Sequence, residues 1–267
     1  MRIAVTFPLY ANTEDHKKYL DLTVKSLRSK KHDIVLLPIE NFINPALRPL
    51  PYEDIDQLDS SILAVGNLTG RQPQSVARGW NDGIRLAAGF KCKYILVINA
   101  DIVLKSDCID RLVEFGEANP DITLWSAGAW ADLETLEQAP QPGNTSEHPS
   151  FSCFMVRPNF FDNVGQFDES ITPAYFEDND MHARIALLGL KAVVWDGAWF
   201  HHFGSRAMAG DPDLARWIAP QFDKNRDYFA FKWGSQPVNE VEQMRQVYYK
   251  HPYNDPAYSL KQWGKQQ

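Results

Sequence analysis

The 267-residue sequence lacks long apolar runs, has little cysteine and has no excess of basic charge. No run reaches the roughly 18 apolar residues that a membrane-crossing helix needs, and the N-terminus MRIAVTFPLY lacks the apolar core of a signal peptide. The three cysteines, Cys92, Cys108 and Cys153, show no spacing typical of zinc or redox sites and suit a reducing compartment. Lys and Arg number 27 against 34 Asp and Glu, which disfavours a protein that coats nucleic acid. We therefore expect a cytoplasmic protein without a membrane span, either free or peripheral to a membrane.

Apolar stretches of strand length alternate with segments of helical spacing along the first half of the chain. The predicted strands are residues 2–7, 33–39, 62–66 and 94–99. The predicted helices are residues 16–30, 74–89 and 106–118, the last with Ser106 as its N-cap. This alternation predicts an α/β fold with a mostly parallel, Rossmann-like central sheet flanked by helices on both faces. In such sheets, ligands bind beyond the carboxyl ends of the strands.

The second half of the chain is less regular. Its predicted strands are residues 122–130, 151–156, 192–196 and 198–203, and its predicted helix is residues 178–188. Residues 132–150 are polar, carry three prolines and are predicted to form a long loop. Residues 211–267 are rich in aromatic residues, proline and charge. We expect them to form an irregular or helical extension that packs on a domain of residues 1–210.

The run YILVINADIVL (94–104) ends a predicted buried strand on the polar segment Asn99-Ala100-Asp101. A strand that has reached solvent explains this ending as well as a strand that holds a carboxylate in one place. Two further polar clusters lie at element boundaries, Glu177–Asp180 before a predicted helix and His201-His202 at the end of the last strand. Helix capping and a strand edge would explain these two clusters individually.

In combination, the three clusters favour a reactive site. One carboxylate and one imidazole, together with phosphate oxygens, suit Mn²⁺ or Mg²⁺. A remaining carboxylate is then free to act as a general base. The sequence therefore predicts a site where Asp101, a histidine and an acid of the Glu177–Asp180 cluster come together.

The ordered set of motifs resembles the family 2 glycosyltransferases of the GT-A fold, of the rhamnosyltransferase type. The resembling segments, spread over about residues 2 to 233, are ARGWNDGIRLA (77–87), NAD (99–101), FEDNDMHARIALLGLKA (176–192), HHFGS (201–205) and NRDYFAFKWG (225–234). The NAD segment resembles an Asp-x-Asp motif in which Asn99 replaces the first acid. Because Asn99 carries no charge, we expect it to contribute less metal affinity than an aspartate would.

The resemblance implies a sugar donor linked to UDP, dTDP or GDP, and a glycan or another hydroxyl compound as acceptor. A nucleic-acid acceptor and an oligomeric state are left open. The resemblance also implies a catalytic domain of residues 1–210, with a donor half at about 1–104 and an acceptor half at about 105–210. Residues 211–267 would then pack on that domain.

The implied cofactor is Mn²⁺ or Mg²⁺, bound by Asp101 and His202. We prefer His202 to His201 because it directly precedes Phe-Gly-Ser, and strand alternation lets only one of the two face the site. Asp178 is the expected base, with Glu177 as the second choice, and attack by the deprotonated hydroxyl would invert the anomeric centre. Arg184, one helical turn beyond Asp180, is expected either to pair with it or to contact the diphosphate.

The donor site is expected at the ends of the first strands and on the helix at 74–89. Trp80 on that helix is expected to pack in the core. The aromatic residues of the extension are expected to shape the acceptor groove, to pack or to contact another copy in an oligomer; they are Trp217, Tyr228, Phe229 and Trp233. The candidate donor-binding residues are Thr6, Phe7, Pro8, Glu40, Asn41, Arg78, Asn81, Asp82, Asn99, Ala100 and Asp101.

Two other functions remain open from the sequence. A sugar nucleotidyltransferase typically has a glycine-rich, basic phosphate loop near its N-terminus, and the segment TFPLYANTED (6–15) is neither. A non-catalytic protein that binds a nucleotide sugar or a glycan would share the same fold, because fold does not dictate function.

Overall fold

The computed structural model describes residues 1–69, 74–204 and 210–237 and contains one central sheet. The strands are β1 (Arg2–Ala11), β2 (Asp33–Ile43), β3 (Ile62–Val65), β4 (Leu68–Thr69), β5 (Tyr94–Ile98), β6 (Ile102–Leu104), β7 (Ile122–Ala129), β8 (Thr145–Ser146), β9 (Cys153–Val156) and β10 (Lys191–His202). The α-helices are α1 (Glu14–Ser26), α2 (Val76–Gly89), α3 (Cys108–Ala118), α4 (Phe160–Val164), α5 (Glu177–Leu187) and α6 (Pro212–Trp233). Single turns of 3₁₀-helix lie at Pro45–Leu47, Pro51–Glu53, Ile55–Gln57 and Leu136–Gln138.

The sheet has the strand order β3-β2-β1-β5-β9-β7-β10-β6, with β4 beside β2 and β8 beside β10. β3, β2, β1 and β5 run parallel, and so do β7 and β10. β9 lies antiparallel between β5 and β7, and β6 and β8 lie antiparallel to β10. Most strands therefore share one direction, and the predicted α/β architecture is confirmed.

Helices cover both faces of the sheet. The side chains of β1 point alternately to the two faces and therefore belong to two different apolar clusters. Val5 belongs to the cluster that includes Leu20 of α1 and side chains of α3. Ala4, its neighbour, belongs to the cluster that includes Ile84 of α2 and Met181 of α5. All five residues of β5 are buried, as the unbroken apolar run in the sequence predicts for a strand covered on both faces.

Three local expectations are wrong. α1 spans Glu14–Ser26 rather than 16–30, and Asp107, not Ser106, precedes α3 as its N-cap residue. Ser106 instead donates its backbone N–H and its hydroxyl to the Glu137 carboxylate, at 3.0 and 2.7 Å. The two strands predicted at 192–196 and 198–203 form the single strand β10, whose register on β7 shifts between Trp195 and Trp199.

α6 connects to the domain at both of its ends. At its start, Asp211 accepts hydrogen bonds from the backbone N–H groups of the first turn and from Asn12 and Tyr10 at the end of β1, at 2.9 and 3.2 Å. Near its end, Phe229 and Trp233 are each 1% exposed and pack with side chains of α5. For these two aromatic residues the structure shows packing.

Parts of the predicted extension and motifs lie outside the described residues, namely 238–267 and Ser205 of the HHFGS segment. Across residues 1–69, 74–204 and 210–237, no helix has the length and apolar character to cross a bilayer.

α2 packs closely against β1 because two glycines, one helical turn apart, face that strand. A Cβ atom on Gly79 would crowd Pro8, and one on Gly83 would overlap the Thr6 side chain. Thr6 cannot turn away easily, since it is buried and its hydroxyl donates to the Leu37 carbonyl at 2.8 Å. This contact sets the height of α2 above the sheet.

We expect Gly83→Ala to lower the free energy of unfolding by about 1–3 kcal/mol, because the added methyl overpacks the α2–β1 contact. Gly89→Ala in the same helix is the matched control, since a Cβ there meets nothing within 4 Å. The control should be neutral or stabilised by up to about 1 kcal/mol, because alanine favours the helix. Urea denaturation of both variants measures the difference, and equal stabilities would contradict the close contact.

Candidate active site

A cavity of about 470 Å³ opens at the edge of the sheet where β1, β5 and β10 end and β9 begins. Its walls come from the end of β1, from α1, from the segments after β5 and before β9, from the start of α5 and from α6. The lining includes Pro8, Tyr10, His16, Tyr19, Asn41, Trp80, Asn99, Ala100, Asp101, Ser150, Ser152, Tyr175, Glu177, Asp178, His202 and Ile218.

Asp101 and His202 form a pair inside the cavity. The Nε2 atom of His202 lies 3.2 Å from Oδ1 of Asp101 and 3.5 Å from Nδ2 of Asn99. Its other ring nitrogen lies 3.4 Å from the hydroxyl of Ser152. An ionised carboxylate only accepts hydrogen bonds, so in this arrangement Nε2 donates to Asp101. With a neutral ring, Nδ1 then accepts the hydrogen bond of the Ser152 hydroxyl.

His201 lies on the other face of β10, as strand alternation predicts. It is absent from the cavity lining, and its Nδ1 donates to the Trp130 carbonyl at 3.0 Å. Its ring also packs edge-on against Phe203. The structure therefore brings His202, and not His201, to Asp101.

The backbone around Asp101 is held from two sides. Phe203 donates its N–H to the Asp101 carbonyl at 3.1 Å. On the α1 side, the Thr23 hydroxyl accepts a hydrogen bond from the Ile102 N–H at 3.1 Å. The same hydroxyl oxygen lies 2.7 and 2.9 Å from the carbonyl oxygens of Ile102 and Ala100. Both peptide units that flank Asp101 are therefore attached to one helix.

The residues around His202 fit a divalent cation that a ligand helps to hold. Among the residues that the structure describes, no group of three or more His, Cys, Asp or Glu side chains could bind a metal alone. Asp101 and His202 supply two protein ligands, and the Asn99 amide oxygen is a third, uncharged donor. Mg²⁺ in particular is commonly bound by one or two carboxylates together with substrate phosphates.

Glu177 and Asp178, here called the carboxylate pair, begin α5 and face the same cavity. Glu177 is 6% exposed, and its Oε2 has no hydrogen-bond partner. Burial, with a contribution from the nearby Asp178 charge, raises the pKa of Glu177 to about 8. Burial also raises the pKa of Asp178, although its carboxylate accepts the Asn179 N–H at 2.8 Å. Burial therefore favours the protonated form of both carboxyl groups, and the larger rise in pKa is that of Glu177.

Asp180 and Arg184 form the ion pair that is one of the two expectations for Arg184. Both side chains are almost fully buried and are absent from the cavity lining. Asp180 also binds Lys232 at 2.6 Å and the Trp233 indole N–H at 2.8 Å. Burial acts to raise the pKa of Asp180, but the charges of Lys232 and Arg184 outweigh it and lower that pKa.

The candidate donor residues at the strand ends divide into two groups. Pro8 and Asn41 line the cavity, as do Asn99, Ala100 and Asp101. The Asn41 side chain also exchanges two hydrogen bonds with the backbone of Gln74, at 2.6 and 2.7 Å.

Other strand-end candidates lie in the protein interior, outside the cavity lining. Phe7 is a core residue, and Thr6 packs under α2. Glu40 is 3% exposed and binds Arg48, Tyr52 and Asn67 at 2.6, 2.8 and 2.6 Å. These partners engage both carboxylate oxygens of Glu40, which would otherwise be the atoms that contact a donor.

The candidates Arg78 and Asn81 on α2 bind the segment before α5, whereas Asp82 pairs with Arg78 and Arg85 of its own helix. All three are absent from the cavity lining. Asn81 donates to the Phe167 carbonyl at 3.0 Å and to Glu169 at 2.8 Å, and accepts from the Phe167 N–H at 2.8 Å. Arg78 pairs with Asp82 at 2.8 Å and with Glu169 at 3.0 Å.

Trp80 lies on α2 between Arg78 and Asn81. It is 3% exposed, packs against aromatic side chains of the core and also contributes to the cavity wall. The expected core role is therefore found, together with a lining role that the sequence reading did not assign.

Several lining residues were missed by the sequence reading. Tyr10 lies beyond the predicted end of the first strand, because β1 continues to Ala11. His16 and Tyr19 lie one turn apart on α1, a spacing that could have indicated a shared face. Ser152 reaches His202 because β9 is antiparallel, and the fully apolar segment Cys153–Val156 carries no signal of its direction.

Replacing Glu177 by Gln removes a carboxyl group whose pKa is raised from 4.5 to about 8 in the folded protein. Between these values the unfolded chain releases the proton while the folded chain keeps it, so wild-type stability falls as pH rises. The free energy of unfolding of Glu177→Gln minus that of the wild type should therefore increase from pH 5 to pH 8, by on the order of a few kcal/mol.

Urea denaturation across this pH range measures that gain. Glu147→Gln is the matched control, since Glu147 is exposed in a loop, and it should follow the wild type. An identical pH dependence for Glu177→Gln and the wild type would contradict the raised pKa.

The structure is similar to several solved structures, whereas no family model and no curated protein matches the sequence. S. aureus TarS superposes with a TM-score of 0.59 at 11% identity, over 92% of this chain and 42% of TarS, so this chain spans less than half of that one. S. aureus TarS 1-349 in complex with UDP-GlcNAc gives 0.59 at 12% identity, over 97% of this chain and 73% of the other.

The mannosyltransferase PcManGT from Pyrobaculum calidifontis, in complex with GDP-Man and Mn²⁺, gives a TM-score of 0.57 at 16% identity. The match covers 98% of this chain and 73% of the mannosyltransferase. At such identities the likeness concerns the fold. The protein has the GT-A glycosyltransferase fold, as its motifs predict.

Proposed function

We propose that the protein is a metal-dependent, inverting glycosyltransferase of family 2 that moves a hexosyl group from a nucleotide-diphosphate sugar to an acceptor hydroxyl. One observation carries the proposal: the Asp101–His202 pair and the carboxylate pair line the same cavity of about 470 Å³. That volume is typical of small-molecule sites. The complexes of structural neighbours with GDP-Man and Mn²⁺ and with UDP-GlcNAc support the ligand class.

In this proposal the donor lies against residues of the chain's first 104 positions. Asp101 and His202 would hold the divalent cation, Mn²⁺ or Mg²⁺, and Asn99 would add an uncharged contact. When bound, the cation offsets negative charge on the departing diphosphate. Pro8, Asn41 and Ala100 border the donor, and the ring of Tyr10 adds a wall that the sequence reading did not include.

Asp178 acts as the general base. It takes the proton from the acceptor hydroxyl while that oxygen forms a bond to the anomeric carbon of the sugar. The bond from this carbon to the diphosphate oxygen breaks, and its electron pair leaves with the nucleoside diphosphate. Attack opposite the leaving group inverts the anomeric centre. Burial raises the pKa of both carboxyl groups, and the larger rise at Glu177 supports Asp178 for this role, because the base must be the group that ionises more readily.

Donor binding should raise the melting temperature, because a ligand that binds only the folded state stabilises it. At a donor concentration about 100 times Kd, we expect a shift of about 5–10 °C for one of UDP-, GDP- or dTDP-linked sugars with Mn²⁺. EDTA should remove most of it. His202→Ala should lose the Mn²⁺-dependent part, while the adjacent control His201→Ala keeps it. A full shift in EDTA would contradict the metal assignment.

Asp178→Asn should bind the donor nucleotide like the wild type and lose about 10²–10⁴-fold in sugar transfer, the usual contribution of a general base. The control Asp162→Asn changes an exposed residue of α4 and should leave transfer unchanged. Nucleoside diphosphate release, measured against a panel of acceptors, reports the rate. Turnover of Asp178→Asn within threefold of the wild type would remove Asp178 from this role, and donor binding without sugar release in the wild type would favour a binding protein.

A further inference from the structure

α6 binds the backbone immediately before the carboxylate pair. Nδ2 of Asn225 lies 2.9 Å from the carbonyl oxygen of Ala174 and 3.4 Å from that of Tyr175. Asn225 is 5% exposed, so its amide is shielded from water and finds its partners in these two carbonyls. This side chain therefore fixes the path of the chain at the point where it enters α5.

α6 also binds Asp180, two positions after the carboxylate pair. Lys232 places its Nζ 2.6 Å from Asp180 and 2.7 Å from Asp168, two carboxylates whose side chains have no exposed area. Arg184 and Trp233 complete the surroundings of Asp180. Two buried carboxylates that share one lysine hold the end of α6, the first turn of α5 and the segment before it together.

The segment between these two attachments has an unfavourable backbone. Tyr175 and Phe176 both have positive φ values, 75° and 78°, in the left-handed region that side chains with a Cβ disfavour. Their rings pack on Phe222 of α6 at 5.3 and 5.1 Å, and Phe176 also packs on Phe229 at 6.1 Å. Such a turn persists only when its surroundings impose it, and here the surroundings are α6.

We propose that Asn225 and Lys232 are positioning residues that hold the carboxylate pair at the angle needed for transfer. Neither side chain lines the cavity, so neither can touch substrate there, and among the described residues of α6 only Ile218 does. Both act through α5 and the turn that precedes it. This inference rests on the proposed function of the carboxylate pair and extends it to residues more than 40 positions away in the sequence.

Donor binding and turnover should respond differently to the loss of Asn225 or Lys232. In the proposed function, the donor side of the cavity is built from β1, α1 and the segment after β5. Asn225 instead binds Ala174 and Tyr175, and Lys232 binds Asp168 and Asp180, all of them in α5 or in the segment before it. Loss of either residue should therefore leave nucleotide affinity intact. Misplacement of a reacting group by about 1 Å can cost about 100-fold in rate.

The test compares Asn225→Ala and Lys232→Met with the wild type, with Lys224→Met as the matched control at an exposed position of the same helix. We expect faster hydrogen–deuterium exchange in the peptide 172–182 of both test variants and about a 10–100-fold lower kcat. Dissociation constants for UDP, GDP and dTDP with Mn²⁺ should stay within threefold of the wild type. Lys224→Met should match the wild type in all three measurements.

A double variant guards against simple loss of folding, since Lys232→Met leaves Asp168 buried and without its cation. Asp168→Asn/Lys232→Met removes that charge and should recover most of the melting temperature without recovering kcat. If kcat recovers together with stability, or if exchange in 172–182 is unchanged in Asn225→Ala, the positioning role is overturned. A wild type that releases no sugar from any donor would instead defeat the proposed function, and the exchange measurement would still decide whether α6 holds the carboxylate pair.

Discussion

A carboxylate with no exposed area, that of Asp180, constrains the second half of the molecule. A buried ion loses several kcal/mol of hydration, and only close partners offset this loss. Arg184 comes from the same helix, but Lys232 and Trp233 come from α6, about 50 positions further along the chain. The charge of Asp180 is therefore tolerable only when α5 and α6 are packed together, so the position of the start of α5 depends on α6.

The direction of β9 is the second condition for the site. Because β9 runs against β5 and β7, its first residues lie at the same edge as the last residues of β5 and β10. Ser152 thereby reaches the ring of His202, and its backbone carbonyl accepts the Asn99 N–H at 2.9 Å. A fully parallel sheet would have placed this segment at the opposite edge.

The parts of the site that could be predicted are those in which a local pattern already specifies the position. An apolar run followed by Asp101, and a strand that ends on His202, place both residues at one sheet edge by fold geometry alone. Arg184 follows Asp180 by four residues, which is enough to predict the pair. What the pattern cannot contain is a partner chosen by tertiary packing. Asn81 has the side chain expected of a ribose ligand, yet its amide binds Phe167 and Glu169, 86 and 88 positions away.

The Thr23 hydroxyl connects α1 to Ala100 and Ile102, the residues on either side of Asp101. The same helix presents His16 and Tyr19 to the cavity. A shift of α1 would therefore carry Asp101 and part of the wall around it in the same direction, and the distance between them would change little. Asp101 and this part of the wall are thus coupled through α1, so a substitution that displaces the helix is expected to disturb both of them together.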